Sequence, residues 1–318
     1  MAFYLVTGGA GFIGSHLVEA LIDDGHSVRV LDDLSSGRRG NMPDAAEFFE
    51  ADITDPAAVA AAVDGVDGCF HLAAIASVDR ANRDWLRTHQ VNLTGTINLF
   101  NAVRRVRPDS PPVVYASSAA VYGDCDGTPV GEDECVAPLS AYGADKRGCE
   151  LHARAAGSAH GIRTAGLRFF NIYGPRQDPR SPYSGVITIF LDRLTRGQPV
   201  EIFGDGRQVR DFLHISDAVA ALRRAMPAAS TSAPLFNVCT GKGTSITRLA
   251  EIIAELCGSK LVIRHRPPRC GEIAVSIGNP HRAAARLGFV ARTALRDGLA
   301  CTLSAFAPRP VVDARAVA

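Results

Sequence analysis

Tyr142 and Lys146 stand four residues apart in Tyr142-Gly143-Ala144-Asp145-Lys146. On a helix that spacing puts both side chains on one face. A free phenol, with a pKa near 10, is a poor base at neutral pH. A neighbouring ammonium favours its ionised form. Upstream, Ser117-Ser118-Ala119-Ala120-Val121-Tyr122-Gly123 follows the apolar run PVVYASS. A hydroxyl there sits at the C-terminal end of a strand, where ligands of open α/β sheets bind, and can share a proton with the tyrosine. Singly, each signal is weak: Tyr and Lys at helical spacing usually make a surface pair, and SSAAVYG is an ordinary turn. Together they describe acid–base chemistry on a hydroxyl.

The residues that would bring a redox cofactor to that pair lie at the start of the chain. Thr7-Gly8-Gly9-Ala10-Gly11-Phe12-Ile13-Gly14 joins a strand pattern to a helix pattern. Gly9, Gly11 and Gly14 fit GxGxxG, and Gly8, Gly11 and Gly14 fit GxxGxxG. Such a loop needs a tight turn, a backbone that a pyrophosphate can approach, and close helix–strand packing. The helix N-terminus then offers free N–H donors to the phosphates. The alternative is a glycine-rich turn with no ligand, which the strand–turn–helix context disfavours. Asp32 and Asp33 end the next strand pattern, where a carboxylate meets ribose hydroxyls and repels a 2′-phosphate. That favours NAD over NADP. Arg38 and Arg39 follow closely and argue the other way, since an arginine there can accommodate the phosphate.

Elements able to position these groups follow in order. FYLVT (3–7), SVRVLDD (27–33), EFFEAD (47–52), GCFHLAA (68–74), PVVYASS (112–118) and IRTAGLRFF (162–170) read as strands. GSHLVEALIDDG, DPAAVAAAVDG, the long stretch from Asn82 to Val106, and AYGADKRGCELHARAAG read as helices. Strands alternating with helices predict a Rossmann-type doubly wound parallel sheet covered on both faces. The organisation expected is an NAD-binding domain over 1–170 and a smaller α/β substrate domain over 171–306. Some chain exchange between them and a loose tail over 307–318 are also expected.

Composition narrows the classes. The chain has 318 residues, 47% apolar and 21% charged, enough for a sizeable core. Its net charge of +1 gives no electrostatic footprint for nucleic acid or an anionic membrane. No long apolar run suggests a membrane span, and the N-terminus lacks a signal-peptide pattern, so a cytoplasmic protein is expected. The eight cysteines form no CxxC pair, so neither a zinc site nor a disulfide framework is implied.

The ordered motifs TGGAGFIGSH, LDDLSSG, ADI, HLAA, VNLTGT, SSAAVYG, YGADK, LRFFNIYGPRQDP, GDGRQVRDFLHISD and RCGE resemble those of a known family. The chain is similar, over most of its length, to extended short-chain dehydrogenases/reductases of the NAD-dependent sugar epimerase/dehydratase type, within them the UDP-glucose 4-epimerase group. The resemblance implies 4-epimerisation of a UDP-hexose through a transient 4-keto sugar, tightly held NAD, and a homodimer built on the 82–106 helix and the helix carrying Tyr142. It implies Tyr142 as base, Lys146 as its electrostatic partner and nicotinamide-ribose ligand, and Ser118 as the hydroxyl on the sugar. For the cofactor it implies Gly8, Gly11, Phe12 and Ile13 in the loop, and Asp32, Asp33, Ser36, Gly37, Asp52 and Ile53 toward adenosine. Leu72, Ala73, Ala74, Ala76 and Asn92 would line the central stretch, with Ser117, Phe169 and Phe170 completing the set. For the substrate it implies Asn171, Val186, Arg210, Arg269, Glu272 and Ser276.

Departures from relatives narrow the chemistry. Ala119-Ala120 replaces the Asp-Glu pair of related 4,6-dehydratases and the glutamate of related decarboxylases, so no agent for elimination is present. Ala76 replaces a lysine that some relatives aim at the cofactor. The small Ser276, at the far end of the hexose by resemblance, leaves room for an N-acetyl group. Glucuronate epimerases of the family tend to carry threonine at Asn171, which counts against that substrate, whereas Arg180 is a cation that could meet its carboxylate. The rival readings are a UDP-glucuronate 4-epimerase, a nucleotide-4-keto-sugar reductase, and a non-catalytic NAD-binding relative.

Overall fold

The computed structural model describes residues 1–106, 110–125, 128–177, 185–268, 271 and 273–306. The expected tail, 307–318, lies outside these. The chain's strands are β1 (Phe3–Thr7), β2 (Ser27–Asp32), β3 (Glu47–Glu50), β4 (Gly68–His71), β5 (Val113–Ser118), β6 (Thr164–Phe169) and β7 (Asn171–Tyr173). They continue with β8 (Val200–Phe203), β9 (Val209–His214), β10 (Leu235–Val238), β11 (Gly243–Ser245), β12 (Ile263–Arg266) and β13 (Val275–Ser276). One seven-stranded sheet runs β10-β6-β5-β4-β1-β2-β3, with every pairing parallel. Parallel strands need crossovers, and helices on both faces supply them.

The helices are α1 (Phe12–Asp23), α2 (Pro56–Val63), α3 (Val78–Arg83), α4 (Trp85–His89), α5 (Gly95–Val103) and α6 (Ala141–His160). They continue with α7 (Val186–Thr195), α8 (Ile215–Ala225), α9 (Ile246–Cys257), α10 (His281–Leu287) and α11 (Leu295–Phe306). One face of the sheet packs Leu17 and Leu21 of α1 with Ala218 and Leu222 of α8. The other packs Val59 of α2, Leu99 of α5, and Cys149 and Ala153 of α6. Local chemistry sets the ends of these helices. Asp55 caps α2 by accepting from Ala57 and Ala58, with Pro56 at the first helical position. Ser140 caps α6, and Gly161 ends it at φ 70°.

Beyond residue 170 the chain divides. β10 and α8 return to the large sheet, whereas β7, β9, β11 and β13 form a four-stranded sheet and β8 pairs with β12. A separate apolar cluster of Phe190, Leu191, Phe212, Leu249 and Ile253 underlies that part.

Two differences from expectation bear on the site. The helix expected over 82–106 is α3, α4, a π-helical turn over Gln90–Thr94, and α5. Asp84 breaks the run by capping α4, and the wider turn carries Asn92 inward, as such turns often do at functional sites. The strand expected over 68–74 stops at His71, because Leu72 and Ala73 turn their amides onto Thr7.

Candidate active site

The loop between β1 and α1 is a cradle that only glycine permits. Gly8 sits at φ 70°, and a Cβ there would lie 2.7 Å from the Ala73 amide nitrogen. A Cβ on Gly14 would lie 2.1 Å from the Gly8 carbonyl oxygen, so the helix meets the loop with no room for a side chain. Gly11 meets only that same oxygen, at 3.2 Å, which leaves its other side open to a ligand. The three glycines therefore divide the work that a dinucleotide loop requires. Phe12 and Ile13 form the first turn of α1 above them.

Asp32 closes the loop from below. Its carboxylate accepts from the Ala10 amide at 2.9 Å and the Leu34 amide at 2.8 Å. Burial raises its pKa, and the two amides pull it back. Two lone-pair sites remain on those oxygens for ribose hydroxyls. Asp33 is turned onto Ser35, exposed beside Ser36. Gly37 closes over the loop, since a Cβ there would meet the Ala10 backbone at 2.8 Å. Arg39, which argued for a 2′-phosphate, stacks on the Phe48 ring at 4.9 Å. Asp52 is paired with Arg87 of α4 at 2.6 Å; burial would raise its pKa, but Arg87 and the Thr54 amide and hydroxyl together lower it. Ile53 is buried beneath Gly95.

A buried chain of hydrogen bonds fixes the central stretch. Thr7 Oγ1 accepts from the amides of Leu72 and Ala73 and meets His71 Nδ1 at 2.7 Å. His71 Nε2 meets Thr96 Oγ1 at 2.9 Å, and Thr96 donates to the Asn92 carbonyl. The Asn92 side chain brackets Ile75, accepting from its amide and donating to its carbonyl. Asn92 thus holds the Leu72–Ala76 loop in shape. Ala74 lies on that loop, and Ala76 is exposed at its end.

Burial, and after it the Lys146 charge, pushes His71 down from 6.5 to about 3. The unfolded imidazole takes a proton below its usual 6.5, and the folded one does not until about 3. This group therefore removes roughly 1.4 kcal/mol of stability per pH unit as pH falls between those values. Between pH 7 and pH 5 the loss from His71 is about 2 kcal/mol. Denaturant unfolding of His71→Gln should show a pH difference smaller by that amount; an unchanged difference would contradict the assignment.

The candidate acid–base groups converge at the C-terminal edge of the sheet. Ser118 is the last residue of β5, and its Oγ accepts from the Ala120 amide at 3.1 Å. Lys146 is 4% exposed, and its Nζ donates to the Ala116 carbonyl at 2.8 Å, which fastens α6 to β5. The same Nζ lies 5.9 Å from the centre of the half-buried Tyr142 ring. A Cβ on Gly143 would sit 2.5 Å from the Ala120 carbonyl oxygen, so the first turn of α6 presses on the turn that follows Ser118. Ser117 points the other way, donating its hydroxyl to Glu150. Phe169 and Phe170, at the end of β6, are buried in two separate apolar clusters.

Of the substrate residues implied by sequence, Asn171 in β7 donates to the Asp211 carbonyl at 3.1 Å. Arg210 lies in β9 directly opposite Ser276 in β13. Val186 opens α7. Arg180, Arg269 and Glu272 fall outside the described residues. A cavity of about 930 Å³ is lined among others by Phe203, Arg207, Gln208, Arg266, Pro268 and Val275, close in the chain to Arg210 and Ser276. Sequence reasoning did not single out Phe203, Gln208 or Arg266. Of these only Gln208 lies in GDGRQVRDF, whereas Phe203 and Arg266 become neighbours because β8 and β12 pair in register. Among the described residues no three His, Cys, Asp or Glu side chains are grouped to hold a metal. No described helix is long and apolar enough to cross a membrane.

The model of the NAD-dependent epimerase/dehydratase family matches residues 4–239. The UDP-glucose 4-epimerase of Mycolicibacterium smegmatis is 38% identical over 309 residues, covering 95% of this chain and 97% of that protein. Among solved structures, the UDP-glucose 4-epimerase of Thermotoga maritima with UDP-glucose superposes with a TM-score of 0.91 at 35% identity, covering 96% of this chain and 98% of the other. The UDP-N-acetylglucosamine 4-epimerase of Methanobrevibacter ruminantium M1, in complex with UDP-N-acetylmuramic acid, gives 0.90 at 34% identity, with the same coverage. With the glycine cradle, the acidic strand end and this near-full-length similarity together, the chain belongs to the NAD-dependent epimerase/dehydratase family, in its UDP-glucose 4-epimerase group.

Proposed function

We propose that the protein is a UDP-hexose 4-epimerase acting on UDP-glucose/UDP-galactose and on their N-acetylated counterparts. The observation that supports the reading is Lys146, anchored by the Ala116 carbonyl two residues before Ser118 and 5.9 Å from the centre of the Tyr142 ring. In this reading Tyr142 takes the proton from the sugar 4-hydroxyl and later returns it. Lys146 favours the phenolate, and Ser118 orients the hydroxyl. NAD, when bound, supplies a hydride acceptor that gives the hydride back to the opposite face of the sugar. Gly8, Gly11 and Gly14 would hold its pyrophosphate, Asp32 and Asp33 its adenosine ribose, and Asp52 and Ile53 its adenine side. Arg210 would take the substrate phosphates, since a guanidinium suits a diphosphate.

We assign the NAD-binding role to residues 1–170 and the nucleotide-sugar role to 171–306, in a cytoplasmic enzyme. A homodimer would form on the helices around Tyr142. The groove between α5 and α6 supports this, lined by Ile97, Phe100, Ala155, Ala156 and Ala159. Exposed Trp85 and Leu86 on α4 and Leu151 on α6 add apolar surface.

The reading is tested by incubating the purified enzyme with UDP-glucose, UDP-N-acetylglucosamine and UDP-glucuronate and identifying products by NMR. Conversion of each of the first two to its own 4-epimer, UDP-galactose and UDP-N-acetylgalactosamine, without added cofactor is expected. Stoichiometric consumption of NAD(P)H would identify a reductase instead.

The sugar range rests on Ser276. It is paired opposite Arg210, the proposed phosphate ligand, and by the resemblance its small side chain would leave volume for an N-acetyl group. Ser276→Tyr should suppress turnover of UDP-N-acetylglucosamine by at least roughly ten-fold and spare UDP-glucose, since a misfit in a pocket is worth about 1–3 kcal/mol. Equal loss of both activities would refute the pocket argument.

A further inference from the structure

Beside β5 lies a buried polar cluster that the chemistry above leaves unused. Glu150 and Arg168 are 4% and 1% exposed. Arg168 Nε donates to Glu150 Oε1 and its Nη2 to Oε2, both at 2.8 Å. Ser117 Oγ adds a donor to Oε1 at 2.7 Å, and Arg147 Nη1 adds one to Oε2 at 3.0 Å. The carboxylate thus accepts two hydrogen bonds on each oxygen. Burial alone would raise its pKa, but Arg168, with Ser117 and Arg147, holds it below the usual range. The third Arg168 nitrogen donates to the Tyr122 hydroxyl at 2.9 Å and to the Glu132 carbonyl at 3.0 Å. Tyr122 donates onward to Asn237 of β10 at 2.6 Å.

Stability does not require this arrangement. A buried ion pair seldom does better than apolar side chains of the same volume, because desolvating two charges offsets their attraction. Its distinguishing property is direction. Apolar contacts tolerate sliding, whereas four hydrogen bonds near 2.8 Å fix both distance and angle. The places it ties are informative. Glu150 is one helical turn beyond Lys146, and Ser117 immediately precedes Ser118. On the far side, Tyr122 lies just after the turn that Ser118 caps.

We infer that Glu150 is a positioning residue, which through Ser117 and Arg168 fixes the register of α6 against β5 and so aligns Tyr142 and Lys146 with Ser118. The inference rests on the reading of those three as the reacting groups. A misplacement of about 1 Å is enough to cost on the order of 100-fold in rate while binding survives. Lys146 supplies one tie between helix and strand through the Ala116 carbonyl, and Glu150 supplies the second. A single tie permits rotation of the helix about it, and two do not.

The test compares Glu150→Gln and Ser117→Ala with wild type and with Tyr142→Phe. Ser117→Ala removes the strand-to-helix hydrogen bond and leaves the Glu150–Arg168 pair intact, so it serves if Glu150→Gln folds poorly. Expected for both is a kcat about ten-fold or more below wild type, with KM for the UDP-sugar within about two-fold and the NAD content unchanged. Ser117→Ala should remain fully folded under assay conditions, its unfolding midpoint lowered only by the loss of one buried hydrogen bond. The positioning role fails if Ser117→Ala retains wild-type kcat while Glu150→Gln loses activity only in proportion to its folded fraction. It fails equally if Ser117→Ala loses NAD, which would make Ser117 a cofactor ligand. A Tyr142→Phe variant with wild-type rate would instead remove the reading on which the inference rests, and is distinguishable from either outcome.

Discussion

Replacing Tyr142 with phenylalanine is expected to lower turnover by about 10²–10⁴-fold while leaving UDP-sugar affinity within about two-fold. The ring remains, so the packing of the first turn of α6 is kept, and only the hydroxyl that exchanges the proton is lost. Lys146 stays fastened to the Ala116 carbonyl through its own hydrogen bond, so its position does not depend on the phenol. Ser118→Ala should cost much less. Its hydroxyl accepts from the Ala120 amide, and removing it loosens a turn without removing the base. Steady-state kinetics on both variants, with binding of UDP measured separately, provide the comparison. A Tyr142→Phe enzyme at wild-type rate, or a Ser118→Ala enzyme impaired as severely, would overturn the assignment of the base.

A comparable loss, in cofactor rather than rate, is expected for Gly8→Val. Gly8 lies at φ 70°, where a side chain costs roughly 1–2 kcal/mol, and the new Cβ would stand 2.7 Å from the Ala73 nitrogen. Backbone on both sides of that contact forms the cradle, so relief of the clash widens the site itself. Wild-type protein, denatured with acid, should release close to one NAD or NADH per chain. The variant should release clearly less, and its affinity for added NAD should fall at least about ten-fold, since a displacement worth about 1.4 kcal/mol is already ten-fold in affinity. Gly25→Ala is the control, because Gly25 shares a positive φ of 82° but has nothing within 4 Å of the added Cβ. It should keep its nucleotide. Full NAD content in Gly8→Val would show that the loop does not hold the pyrophosphate, and release of NADP from wild type would overturn the reading of Asp32.

The amino-acid sequence by itself determined the alternation of strands and helices, the parallel sheet and the glycine loop, because each depends on neighbours in the chain. Periodicity over a dozen residues reports which face is buried, and a left-handed turn or a helix cap is written in one or two residues. Tyr142 and Lys146 were legible for the same reason, since a helix alone puts them on one face. The tertiary structure decided what lies between elements. Asn92, implied as a cofactor contact by resemblance, also clamps Ile75, which is seen only when the π-helical turn is placed beside the loop after β4. Asp32 and Asp33 look equivalent in sequence, yet one braces the Ala10 amide and the other is turned onto Ser35. Glu150 and Arg168 carry no local signal, being separated by 18 residues and joined across α6, β5 and β6. His71 reads as one more strand residue until burial and Lys146 make it permanently neutral at physiological pH. Such groups acquire their character from partners distant in the chain, through desolvation and direction-dependent hydrogen bonds, and those exist only once the sheet has closed around them.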